Sequence, residues 1–181
     1  MFNRIKQFFH AITAKVSFAD ALYVREMLGM DETILFFAMS IEDQRHAIDV
    51  AHTVEHLYDK MSEEKKEKID GHILVKAALL HDVGRVKGDM KIHQKVLCVL
   101  LDKWDPQHAR LLAKSNGDKG SLAHAFLAYY RHPKIGAEKL EEIGADSRIV
   151  YLVRHHHSKK KDKENELYKE LTLLKKADGM N

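Results

Sequence analysis

The chain has little of what small folds use as punctuation or as staples. Two prolines and nine glycines are spread over 181 residues in which Ala, Leu, Lys and Glu dominate, a balance that disfavours a sandwich or barrel built on frequent tight turns. A single cysteine excludes a disulfide framework within the chain. Cys98, flanked by Val96, Leu97, Val99 and Leu100, reads as a buried reduced thiol, and the expected compartment is the cytoplasm. Excess charge of one sign is lacking too. With 30 Lys and Arg against 27 Asp and Glu, the net +3 is too weak to point to nucleic acid as a partner. No run reaches the roughly 18 uninterrupted apolar residues of a membrane span. Arg4, Lys6 and Lys15 break up the first residues, so no signal peptide is expected. Phe2, Ile5, Phe9 and Ile12 instead fall at helical spacing, the pattern of an amphipathic helix, expected to dock on the domain in preference to a membrane surface or a dimer contact.

What remains is helical pattern nearly throughout. No internal repeat, low-complexity linker or shift in composition marks a second domain, so the expectation is one all-α domain, a helical bundle. Helices are predicted over residues 2–15, 18–28, 31–38, 41–60, 63–81, 91–103, 107–115, 120–131, 133–143, 146–157 and 163–178. Gly84 and Gly88 should end one of them, and Pro133 should close a helix at His132 and open the next.

Some polar residues sit where burial is expected. In "SIEDQRHAIDVAHTVEHLYD" the stripe Ala47, Val50, Ala51, Val54 and Leu57 has His46 on its edge, one turn before Val50, which turns that imidazole inward. His52 and His56 fall further round, at the surface or rim. In "NELYKELTLLKKADGMN" the residues Leu167, Leu171 and Leu174 step by four and three, and the next place in the series is Asp178. A buried, unpaired carboxylate costs several kcal/mol, and a helix C-terminus is the wrong end for negative charge, so a cation is expected there. "AALLHDVGRVKGD" carries the same message. A helix apolar on most sides ends in His81 and Asp82, which therefore lie inside the protein. His46, the adjacent pair His81 and Asp82, and Asp178 come from distant parts of the sequence, yet each ends or edges an apolar helix; two neutral imidazoles and two carboxylates could compensate one divalent cation.

This ordered set resembles the HD-domain superfamily of metal-dependent phosphohydrolases. "DQRHAIDVA" is similar to the superfamily's first-ligand helix, "HDVGR" to its common "HDIGK", and the Asp of "KKADGMN" to its last ligand. The likeness covers about residues 31–181, with residues 1–30 left as an N-terminal helical extension packed on the domain. It implies an all-helical fold with a metal centre in the core. Carried over residue by residue, it makes His46, His81, Asp82 and Asp178 ligands of a first ion, with Asp82 able to bridge to a second. "YYRHPKIGAEKLEEIG" and "IVYLVRHHHSKK" resemble the "HPxxGAxxL" and "HH" segments of the two-metal branch that includes the HD-GYP phosphodiesterases. His132 would then be a ligand, with two of His155, His156 and His157. The stripe Ile149, Val150 and Val153 continues to His156 and His157, so those two are favoured. The likeness to that branch is partial, since Ser158 stands where HD-GYP proteins usually carry Glu and no "GYP" follows.

The chemistry implied is hydrolysis of a phosphomonoester or phosphodiester, a nucleotide being the expected partner, by water acidified on one or two divalent ions; Fe, Mn, Zn, Co and Mg all suit such ligands. Asp82 would take part in catalysis, and Arg85 or Lys87 could neutralise charge developing on the phosphoryl group. Two alternatives share the ligand set: a catalytically silent regulatory module that binds a nucleotide or a protein, and a di-iron oxygenase. The sequence leaves self-association open.

Overall fold

The computed structural model describes residues 14–114, 117, 118, 120–160 and 162–181, so most of the helix expected at 2–15 lies outside them. Among the described residues there are ten helices and no strand: α1 Phe18–Met27, α2 Met30–Phe37, α3 Ile41–Asp59, α4 Glu63–Lys66, α5 Gly71–Leu80, α6 Ile92–Trp104, α7 Pro106–Leu112, α8 Leu122–Glu142, α9 Ser147–His155 and α10 Tyr168–Met180. The protein is all-α, as its composition predicts. No helix among the described residues is long and apolar enough to cross a membrane.

The fold is organised round α5. Ile73, Leu74, Val75 and Ala77 to Leu80 are all buried, so this helix has almost no solvent face and is enclosed by α3, α9 and α10, with α1 and α2 closing the remaining side. Its start is fixed by charge. The Asp70 carboxylate accepts the Ile73 N–H at 3.1 Å, and Arg148 from the first turn of α9 pairs with the same group at 2.9 Å. That cap explains a correction. The continuous helix expected over 63–81 is broken at 67–70, because Asp70 starts a helix instead of continuing one, and Gly71 lets the turn pass close under the Tyr58 ring.

A second correction concerns Pro133. Residues 122–142 form a single helix that runs through it, not two helices meeting there. One missing N–H removes one backbone bond, and packing of α8 against α6, α7 and α9 holds the helix across the gap. The last helix begins at Tyr168 and not at 163, since the Asn165 side chain accepts the Leu167 N–H at 2.9 Å and holds a turn there. Beside the main core, α6, α7 and the first half of α8 enclose a small cluster of Cys98, Ala109, Ala113, Ala125 and Phe126. Burial pushes the Cys98 thiol up to about 12. At pH 8 a disulfide reagent should therefore leave the folded protein unlabelled and titrate one thiol after denaturation; rapid labelling of the folded chain would contradict this placement.

Candidate metal centre

Five helices bring polar side chains to one point. His46 comes from the middle of α3, His81 and Asp82 from the C-terminal end of α5, His132 from the middle of α8, His156 and His157 from the end of α9, and Asp178 from the last turn of α10. Two glycines allow the approach. A Cβ on Gly84 would lie 2.0 Å from the His132 carbonyl oxygen and 2.8 Å from the Gly136 nitrogen. The loop after Asp82 is thus laid directly on the backbone of α8, and the Lys139 ammonium donates to the Val83 carbonyl at 3.2 Å beside it. Gly84, expected only to break a helix, is required for close contact between two backbones.

The side chains fall into two groups, each able to hold a metal ion: His46, His81 and Asp178 in one, His132, His156 and His157 in the other. In the first, His46 Nε2 stands 3.1 Å and His81 Nε2 3.8 Å from Asp178 Oδ1. Asp82 lies between the groups. Its Oδ2 is 3.5 Å from His81 Nε2, and its Oδ1 is 3.2 Å from His132 Nε2 and 3.9 Å from His156 Nε2. His157 is the exposed member, its ring 4.2 Å from that of His156 between centroids. His155 points its ring at Tyr151, with 4.5 Å between centroids, and is not part of either group.

Three of these imidazoles are oriented by one device. His81 Nδ1 lies 2.7 Å from the Ala78 carbonyl, His132 Nδ1 2.7 Å from that of Tyr129, and His156 Nδ1 2.6 Å from that of Val153, each three residues back. A carbonyl only accepts, so Nδ1 carries the proton and Nε2 presents a lone pair. At His132 the Arg85 guanidinium lies against the ring, 3.2 Å from Nε2 and 3.4 Å from Nδ1, so the short contact to the Tyr129 carbonyl is what assigns the proton. His132 Nε2 and His156 Nε2 are nevertheless 3.2 Å apart. Two lone pairs at that distance repel, and the natural remedy is a cation between them. Buried His81 Nε2 and Asp82 Oδ1 also have no hydrogen-bond partner. Imidazoles of which three are anchored by carbonyls behind them, with carboxylates alongside and His81 Nε2 and Asp82 Oδ1 left unsatisfied in front, fit a divalent transition ion.

Charge is balanced tightly. Burial alone would raise the Asp82 carboxyl, but the Arg85 guanidinium beside it outweighs this and holds the group well below the usual carboxylate range. Burial likewise opposes the charged form of Asp178, yet the His46 hydrogen bond keeps it ionised. The same bond, with the Asp82 charge, raises His46 against its own burial. His132 and His156 are lowered, by burial first and then by Arg85 and His157 respectively, and so stay neutral, as a metal ligand would have to be.

Of the two cations read from the sequence, Arg85 is at the centre, with Nη1 2.5 Å from Asp82 Oδ2 and 3.8 Å from Asp43 Oδ1. Lys87 is exposed. Its backbone N–H donates to the Ala38 carbonyl at 3.1 Å, and among the described residues no contact joins its side chain to the cluster. Sequence reasoning passed over Asp43, which is buried, receives Lys95 Nζ at 2.7 Å and faces Arg85. The available signal was its spacing, one turn before His46 on the same helix.

Comparison with known proteins agrees with this geometry. The family model for the HD domain matches residues 44–180, a span that runs from α3 to α10 and includes every residue of both groups. No curated protein and no solved structure matches the chain. The chain belongs to the HD-domain superfamily of metal-dependent phosphohydrolases.

Proposed function

We propose that the protein hydrolyses a small phosphoester, a nucleotide in particular, at a centre of two divalent ions that share Asp82. The observation that carries this reading is the pair of facing Nε2 lone pairs of His132 and His156, 3.2 Å apart beside the unpartnered Asp82 Oδ1. His46, His81, Asp82 and Asp178 would hold one ion, and His132, His156, His157 and Asp82 the other. A divalent ion in such a site lowers the pKa of a bound water towards neutrality and supplies a nucleophile at neutral pH.

The chain's own residues supply the rest. Asp82 offers one oxygen to each group, which fixes their separation. Arg85 has Asp43 as a second carboxylate, so it stays at the centre when Asp82 is engaged, placed to meet a phosphoryl oxygen with a planar fork of donors. Lys95, held on Asp43 from α6, keeps that carboxylate in position. A cytoplasmic setting accords with the lone buried thiol, and a small ligand with a site enclosed by helices on most sides.

The test is turnover of a generic phosphodiester and a panel of nucleotides by the purified protein with Mn²⁺, Fe²⁺ or Mg²⁺. Metal-dependent release of phosphate or nucleotide is expected, with Arg85→Ala lowering kcat/KM by about 10²-fold, as loss of one charge-stabilising donor does. No turnover with any ion, despite stoichiometric metal, would replace the hydrolase with a binding module.

A further inference from the structure

The geometry points to Pro133 as a positioning residue that fixes the tautomer of His132 by clearing its partner carbonyl. In an uninterrupted helix the N–H of residue 133 donates to the carbonyl of residue 129, four positions back. Proline has no N–H, so this bond is missing in the middle of α8, where Pro133 is buried. The Tyr129 carbonyl is the one that His132 Nδ1 engages at 2.7 Å. His81 and His156 meet no such competition, because each caps the end of its helix, where the last carbonyls have no partner within the helix. His132 alone must find its acceptor in a helix interior, and its neighbour provides one. The dipeptide His132-Pro133 thus gives a mid-helix histidine the anchorage that the other two obtain from helix ends, with Nε2 turned to Asp82 Oδ1 at 3.2 Å.

This inference rests on the proposed second ion, and two measurements separate their fates. In Pro133→Ala the restored N–H competes for the Tyr129 carbonyl, so the imidazole is held less firmly. Titration with Co²⁺, read by its visible absorption, should show two ions per chain in the natural protein. In the variant the weaker site should lose about 10- to 100-fold in affinity, the effect of removing an outer partner of a ligand, with the stronger site unchanged. Thermal stability should stay level or rise, since alanine suits a helix interior better than proline. In the metal-free protein the ¹⁵N shifts of the His132 ring should report a protonated Nδ1, and a mixture of tautomers in Pro133→Ala.

A structural proline would change only Tm. Equal Co²⁺ affinity at both sites, with an unaltered tautomer, overturns the role of Pro133 and leaves the two-ion centre standing. A natural protein that takes a single ion overturns both.

Discussion

Replacing Asp82 by alanine is expected to remove both ions and all turnover while leaving the helices in place. The carboxylate lies between the two groups, with one oxygen 3.5 Å from His81 and the other 3.2 Å from His132, and among the described residues no other carboxylate stands within 4 Å of imidazoles from both. Without it one group retains a single carboxylate and the other none, so neither has the charge to compensate a divalent ion firmly. Helix content should hold because Asp82 follows α5 and caps nothing within it. Stability of the metal-free protein should still fall. Arg85 loses its 2.5 Å partner and keeps Asp43 at 3.8 Å, and breaking a buried ion pair from one side costs about 3–5 kcal/mol, with Asp43 moderating the loss. Circular dichroism with elemental analysis of the same sample checks both halves. Two ions retained by Asp82→Ala would remove the bridging role.

Gly84→Ala should be nearly as damaging although it removes no candidate ligand. The added methyl would meet the His132 carbonyl at 2.0 Å and its carbon at 2.7 Å, atoms of a helix backbone that has no rotamer to change. Relief requires α8 to move away from the loop after Asp82, and overpacking of this kind costs about 3 kcal/mol or more, close to 10 °C in Tm for a chain of this length. The movement would also withdraw His132 from Asp82. The second ion should therefore be lost before the first, in contrast to Asp82→Ala, where they go together. A Gly84→Ala protein with the natural Tm and two ions would mean that the loop does not rest on α8 as described.

These two residues show how differently the chain exposes its design. Asp82 was legible because it ends an apolar helix, where a carboxylate has no reason to be unless something positive meets it. Asp178 and His46 were legible on the same ground, as polar interruptions of the Leu167, Leu171, Leu174 stripe and of the Ala47, Val50, Val54 stripe. His156 and His157 followed from the phase of Ile149 and Val153. Periodicity reads such positions because it reports which face of a helix is buried.

Gly84 could be read as a helix breaker but not as a contact, since its partner Gly136 lies in another helix and a glycine leaves no side chain to betray which backbone it touches. Pro133 misled for a related reason. Local rules treat a proline as a boundary, and only the surrounding packing decides that α8 continues through it. Asp43 looked like an ordinary acidic residue in a first helical turn. Its partners Lys95 and Arg85 arrive from distant segments. Lys87 was weighed beside Arg85 on proximity alone, and the turn between them leaves it exposed.

The central claim is that two ions sit on either side of one carboxylate, and counting them tests it most directly. Elemental analysis of the natural protein and of His156→Ala, after equilibration with excess Mn²⁺ and removal of free metal, should give two ions per chain and one. His156 belongs to one group only, with its Nε2 3.2 Å from His132 and Asp82 left to serve the other. One ion in the natural protein, or two in His156→Ala, would contradict the account.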